Sequence, residues 1–168
     1  MLTFLTMAAS LATTTFASTI TIHNHCDFPV SWRIDTPARE RTISTLDIDG
    51  VFPPATDPPS PPLVLFGIGQ SVKFVSEAFP DWNAPISFDF TIPAEDPGRV
   101  YYNVPAKENA PFGVFAIPEP LDCDIAGCPP DALAWCGAVR SCAATAPFNV
   151  YLCFNPEKPA AMQVARES

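Results

Sequence analysis

Proline sets the first limit on this chain. Twenty-one of its 168 residues are Pro. Each one fixes φ and removes a backbone donor, so neither a long helix nor a central strand runs through it. Between the prolines lie short apolar runs bounded by Gly, Asn and Asp, such as "ISFDFTI" and "NVYLC". Short runs closed by turn residues are the pattern of a β-sandwich or barrel. An all-β fold is the expectation.

The runs can be placed in order. In "TITIHNHC", a period of two puts Ile20, Ile22, Asn24 and Cys26 on one face and Thr19, Thr21, His23 and His25 on the other. "FPVSWRI" follows as a second strand, presenting Phe28, Val30, Trp32 and Ile34. "LVLFGIGQSVKFV" reads as strand, Gly-Ile-Gly turn, strand. "PISFDFTI" and "RVYYNV" are two more strands, separated by the turn "PAEDPG". "PFNVYLC" is the last. Residues 51–62, "VFPPATDPPSPP", form an extended, polyproline-like surface loop. Residues 119–146 hold four cysteines, and Pro130 and Asp131 of "CPPDALAWC" open one short helical turn there. This segment reads as a disulfide-bound excursion rather than a core element. The tail, 157–168, has few large apolar groups and reads as loose.

Residues 1–17 carry no charge and consist of apolar and small residues, as a secretory signal peptide does, with cleavage after Ala17. The alternative is a buried N-terminal helix. All six cysteines fall behind this leader: Cys26, Cys123, Cys128, Cys136, Cys142 and Cys153. An even count there implies disulfides made in an oxidising compartment, and spacing alone does not choose their pairing. Residues 18–156 make one domain, large enough for a core of its own. A net charge of -9 argues against nucleic acid and anionic membranes, whose phosphates call for Lys and Arg. The chain is read as a monomer, with no membrane association after processing.

Few residues point to chemistry. His23 and His25 share a strand face and could chelate a metal, but a closed site needs more ligands. They read as surface histidines, and neither a metal nor a cofactor is expected. No Gly-x-Ser-x-Gly elbow and no phosphate cradle is present, and paired cysteines are inert. Paired carboxylates can hydrolyse a glycosidic bond, and the candidates are Asp89, Glu95, Asp96 and Glu108. Asp89 alternates with Phe88 and Phe90, which is also the ordinary pattern of a solvent-facing acid. Trp82 and Trp135 lie in loop contexts and are the aromatic candidates for ligand contact.

Several motifs together resemble thaumatin-like proteins. "ITIHNHCDFPVSW" is similar to that family's opening strand pair and "LFGIGQSVKF" to its Leu-x-x-Gly-Gln/Glu-Ser turn. "FDFTI" with "VYYNV" resembles a further strand pair, and "NVYLCFNP" its closing cysteine strand. The resemblance covers residues 18–34 and 63–155 and is nearest to the small fungal relatives, the Blastomyces yeast-phase-specific protein family. It implies a thaumatin-like β-sandwich, a bond between Cys26 and Cys153, and pairing of the other four cysteines among themselves. Larger members carry an acidic cleft of one Arg, one Glu and three Asp, associated with β-glucan. Asp89 stands at the Glu position, Asn103 replaces one Asp, and Glu108 lies near the next. The arginine strand and the second disulfide-rich domain have no counterpart.

The functional expectation is a secreted, extracellular or wall-associated protein acting without catalysis at a cell wall or host interface. Its partner would be wall polysaccharide or a host or defence protein. The alternative is a minimal β-1,3-glucan hydrolase or lectin built around Asp89. A purely structural secreted antigen is the third reading.

Overall fold

A computed structural model describes residues 18–36, 39–40, 43–54, 63–65, 67–107, 110–119, 122–130 and 136–154. The leader, residues 55–62 of the proline-rich loop, Glu108, Asp131, Trp135 and the tail lie outside the described residues. Within them the chain forms thirteen strands and no helix. In order these are β1 (Ser18–Asn24), β2 (Val30–Thr36), β3 (Arg39–Glu40), β4 (Ser44–Leu46), β5 (Val51–Phe52), β6 (Leu63–Leu65) and β7 (Gln70–Ser76). They continue with β8 (Ile86–Thr91), β9 (Arg99–Asn103), β10 (Val114–Pro118), β11 (Ala126–Cys128), β12 (Arg140–Ala143) and β13 (Phe148–Leu152).

Two sheets result. The first has the order β11-β10-β13-β1-β5, with β6 also on β1; the second runs β12-β9-β8-β7-β2-β3, with β4 also on β2. Strands β1 and β13 are parallel neighbours, Ile20 opposite Phe148 and Asn24 opposite Leu152. The first and last strands thus lie side by side inside one sheet.

The alternation read in the sequence is what builds the core. β1 is buried at every second position, and so is β8. Ile20, Ile22, Phe148 and Val150 of the first sheet share one apolar cluster with Phe74, Phe88 and Tyr102 of the second. Two faces closing on one core define a sandwich. Phe148 is its keystone, 5.5 Å from Phe88 and edge-on to Tyr102 at 4.8 Å between ring centroids, a favoured aromatic geometry. Tyr102 keeps its phenol satisfied by donating to the Asp124 carbonyl at 2.5 Å. Burial pushes that phenol up to about 12.

Asn24 is the one amide on the inner side of β1. Its Nδ2 donates to the carbonyls of Asp47 (2.9 Å), Phe28 (3.1 Å) and Leu46 (3.3 Å), while Oδ1 accepts from the Cys26 N–H at 3.1 Å. One side chain therefore ties the loop at Phe28 to the end of β4 and the turn that follows it. It sets the turn that brings Cys26 beside Cys153.

Three disulfides fasten the sandwich: Cys26–Cys153, Cys123–Cys142 and Cys128–Cys136. The first spans 127 residues and is the pairing the resemblance implies; the other four cysteines pair among themselves. By loop-closure entropy the long staple contributes about 5 kcal/mol and the 19- and 8-residue ones about 3 and 2.5 kcal/mol.

Three segments differ from the sequence expectation. The described residues of 119–146 are not wholly an excursion outside the core: β11 edges the first sheet on β10, and β12 edges the second on β9. Cys128 and Cys142 are buried in the main cluster. "AGC" and "RSCA" are too short and too small to show a period, and covalent bonds replace the missing apolar area. Val51–Phe52, the first two residues of the proline-rich stretch, pair with β1, and Phe52 packs on Trp32 at 4.7 Å. β10 has no counterpart among the strands expected from the sequence. Its inner residues Val114 and Ala116 face the core, while Phe115 and Ile117 join Tyr151 and Phe154 in a second apolar cluster.

Candidate functional site

The outer face of the second sheet carries a groove of about 530 Å³. Its floor follows from register. Ser71, Asp89 and Asn103 line it from one cross-strand row on β7, β8 and β9, which Asp35 of β2 extends beyond the groove. Arg33, Lys73 and Ser87 form the row on one side; Thr91, Tyr101 and Ser141 form the row on the other. Directly opposed residues of an antiparallel pair share a face. Their neighbours Val72, Phe88, Phe90 and Tyr102 point into the core, so strand alternation alone aims the polar set outward. The Gly-Ile-Gly turn closes one end. Gly67 and Gly69 have φ of 93° and 64°, a region open to glycine, and the Gly69 N–H bonds the Thr91 hydroxyl at 3.2 Å. Val139, 65% exposed, lines the groove near Asn103.

Asp89 lies at the centre. It accepts a hydrogen bond from the Ser71 hydroxyl at 2.6 Å. Its cross-strand neighbours, Ser71 and Asn103, do not ionise as acids. The other acid of the row, Asp35, lies beyond β7, about 10 Å away at the usual strand spacing. It is engaged by Lys73 at 2.5 Å and Arg33 at 3.1 Å. Tyr101 donates its phenol proton to Asp96 at 3.0 Å, and that bond raises its pKa.

Chemically, the groove offers hydroxyls from Ser71, Ser87 and Thr91, the Asn103 amide, one carboxylate and the Tyr101 ring. Alternating donors and acceptors beside an aromatic surface match a hydroxylated ligand. Among the described residues no second carboxylate faces Asp89 with its charge unengaged, which is what two-carboxylate hydrolysis needs. No cluster of three or more His, Cys, Asp or Glu that could hold a metal occurs among the described residues either.

Of the residues singled out from sequence, Asp89 lines the groove and Trp82 does not. Trp82 stands on the same outer face, half-buried, with the Arg33 guanidinium 4.6 Å above its ring. Its loop is fixed by Asp81, whose Oδ1 accepts from the Asn83 N–H at 3.0 Å. Glu95 and Asp96 sit in the turn before β9, outside the central row. Cys123 and Cys142 flank a separate, polar depression. Lys73, Tyr101 and Val139 were missed. Register was the signal for the first two, since pairing β7 with β8 and β8 with β9 brings them beside Asp89.

No family model and no curated protein matches the chain. Solved structures do. One is the crystal structure of the protein elicitor MoHrip2 from Magnaporthe oryzae, with a TM-score of 0.61 and 17% identity over 82% of this chain and 99% of that one. Another is the thaumatin-like xylanase inhibitor TLXI, with a TM-score of 0.56 and 14% identity over 82% of this chain and 100% of that one. At such identities the likeness speaks to architecture. The fold is that of thaumatin-like proteins, all-β, in one disulfide-stabilised domain. Disulfides of this number belong to chains that fold in an oxidising compartment.

Proposed function

We propose that this is a secreted thaumatin-like protein that works without catalysis, holding a hydroxylated wall polysaccharide in the groove around Asp89. The observation that carries the reading is the company Asp89 keeps: hydroxyls, an amide and an aromatic ring, with its only row-mate acid engaged by two cations. Such a site can bind sugar hydroxyls, and among the described residues it holds no acid–base couple for cleaving between them. The uncharged, apolar residues 1–17 and the three disulfides support secretion. Fold likeness to an elicitor from Magnaporthe oryzae supports a place beside the small fungal thaumatin-like proteins.

The test is co-sedimentation of the oxidised protein with insoluble β-1,3-glucan, xylan and chitin, with released sugar assayed in the supernatant. Retention without sugar release, weakened by Asp89→Ala, is expected. Sugar release that Asp89→Asn abolishes would instead establish the hydrolase alternative. Absence of retention on every polymer would end the glycan reading and leave a protein partner.

A further inference from the structure

His23 of β1 and His25, just past the end of that strand, serve neither the core nor the groove. Both project from the outer face of the first sheet, where the ladder across the strands reads Val51, His23, Tyr151, Phe115. His23 stacks on Tyr151 at 4.6 Å and 13° between ring planes, and His25 faces the same ring at 5.7 Å and 9°. The two imidazoles are within 4° of parallel, their centroids 6.3 Å apart. Behind them Cys153, at φ 58°, turns the chain so that Phe154 packs on Tyr151 at 5.1 Å. The His25 backbone is pinned by its N–H to the Leu152 carbonyl at 3.1 Å. The pair is therefore displayed on a rigid platform.

Hydrogen bonding fixes the tautomer of His23. Asn149 donates through Nδ2 to a Glu119 carboxylate oxygen at 2.6 Å, and a carboxylate only accepts. The amide is thus oriented with Oδ1 toward His23, 3.0 Å from Nε2. An amide oxygen also only accepts, so Nε2 carries the proton and Nδ1 holds the lone pair. Metal-ligating histidines almost always donate their other N–H to a carbonyl or carboxylate. Asn149, backed by Glu119, supplies that partner.

We propose that His23 and His25 together bind one first-row divalent transition-metal ion, copper(II) in preference to nickel(II) or zinc(II), on the outer face of the first sheet. Imidazole nitrogen suits all three ions, and affinity for nitrogen sites peaks at copper(II). With two protein ligands the site is open, and water fills the remaining positions. His25 is exposed, so its ring turns onto the shared ion without moving the strand. Asn149 is a positioning residue.

The test is calorimetric titration of the oxidised full chain with Cu(II), Ni(II) and Zn(II) salts, paired with electron paramagnetic resonance of the Cu(II) form. One copper per chain with coupling to two imidazole nitrogens is expected. Affinity should fall about tenfold or more in His23→Ala, in His25→Ala and, with both imidazoles kept, in Asn149→Leu. Binding should also weaken as pH falls, because protons compete with the metal ion for the imidazole nitrogens. Thermal unfolding without metal establishes that each variant is folded. Copper bound equally well by the His23→Ala/His25→Ala double variant would overturn the assignment. So would a wild-type protein that takes up no copper.

Discussion

Asn24→Asp exchanges one buried NH2 for an oxygen and should cost a large part of the stability of the whole domain. Asn24 is 1% exposed, and its Nδ2 faces three carbonyl oxygens within 3.3 Å. A carboxylate placed there keeps the Cys26 N–H bond but aims negative charge at those carbonyls. The introduced acid is therefore held protonated in the folded state. Protonating a carboxyl of ordinary pKa near 3.9 at pH 7 costs about 4 kcal/mol. Losing one or two hydrogen bonds adds about 1 kcal/mol each. The sum, about 5 kcal/mol, compares with about 5–15 kcal/mol for a typical domain. The sign follows from linkage. The folded pKa of the new acid is raised, so the variant is closest to wild type below pH 4 and loses about 1.4 kcal/mol per unit as pH rises toward the folded pKa. Asn24→Leu removes the same hydrogen bonds without introducing a charge, while the Asp47 carbonyl keeps its bond from the Gly50 N–H, so its cost should not vary with pH. Urea unfolding at several pH values, disulfides intact, reads both variants against wild type. An Asn24→Asp protein within about 1 kcal/mol of wild type at pH 7, or one as pH-insensitive as Asn24→Leu, would refute the reasoning.

Phe148→Ala should cost about 3–5 kcal/mol in the same assay, because the ring fills the space between Phe88 and Tyr102; a loss below about 1 kcal/mol would mean the sheets do not meet there. His23, whose pKa is lowered from 6.5 mainly by burial, takes up its proton more readily when unfolded. Its contribution is present above pH 6.5 and is lost as pH falls through its folded pKa. Wild type should therefore lose more thermal stability than His23→Phe between neutral pH and about pH 5. Equal losses in the two proteins would show that the ring is not desolvated.

How much was readable depends on whether one face of a strand meets water. β1 and β8 each have a polar outer face, so Ile20, Ile22, Phe88 and Phe90 stood out at every second position. β10 has no such contrast: Phe115 and Ile117 are as apolar as the core-facing Val114 and Ala116, because an outer cluster covers them. A run of apolar residues ending in Pro gives no period to read. The edge strands β11 and β12 were hidden for the opposite reason, having almost no apolar side chains and relying on disulfides. Asn24 was placed on the inner face, but its role depends on where the loops at Phe28 and Leu46–Asp47 come to rest. Likewise Asp89 was recognisable as an outward acid, whereas its isolation was not. That follows from register, which sets Ser71 and Asn103 beside it and ties Asp35 to Lys73.

The whole architecture depends on the first and last strands running parallel and adjacent, with Cys26 brought to Cys153 by the turn that Asn24 anchors. Proteolysis of the unreduced protein followed by mass spectrometry of linked peptides measures that adjacency directly. A single linked pair joining the peptides that contain Cys26 and Cys153 is the expected result. A free thiol at Cys26, or a bond from it to any of the four cysteines between residues 123 and 142, would contradict the fold.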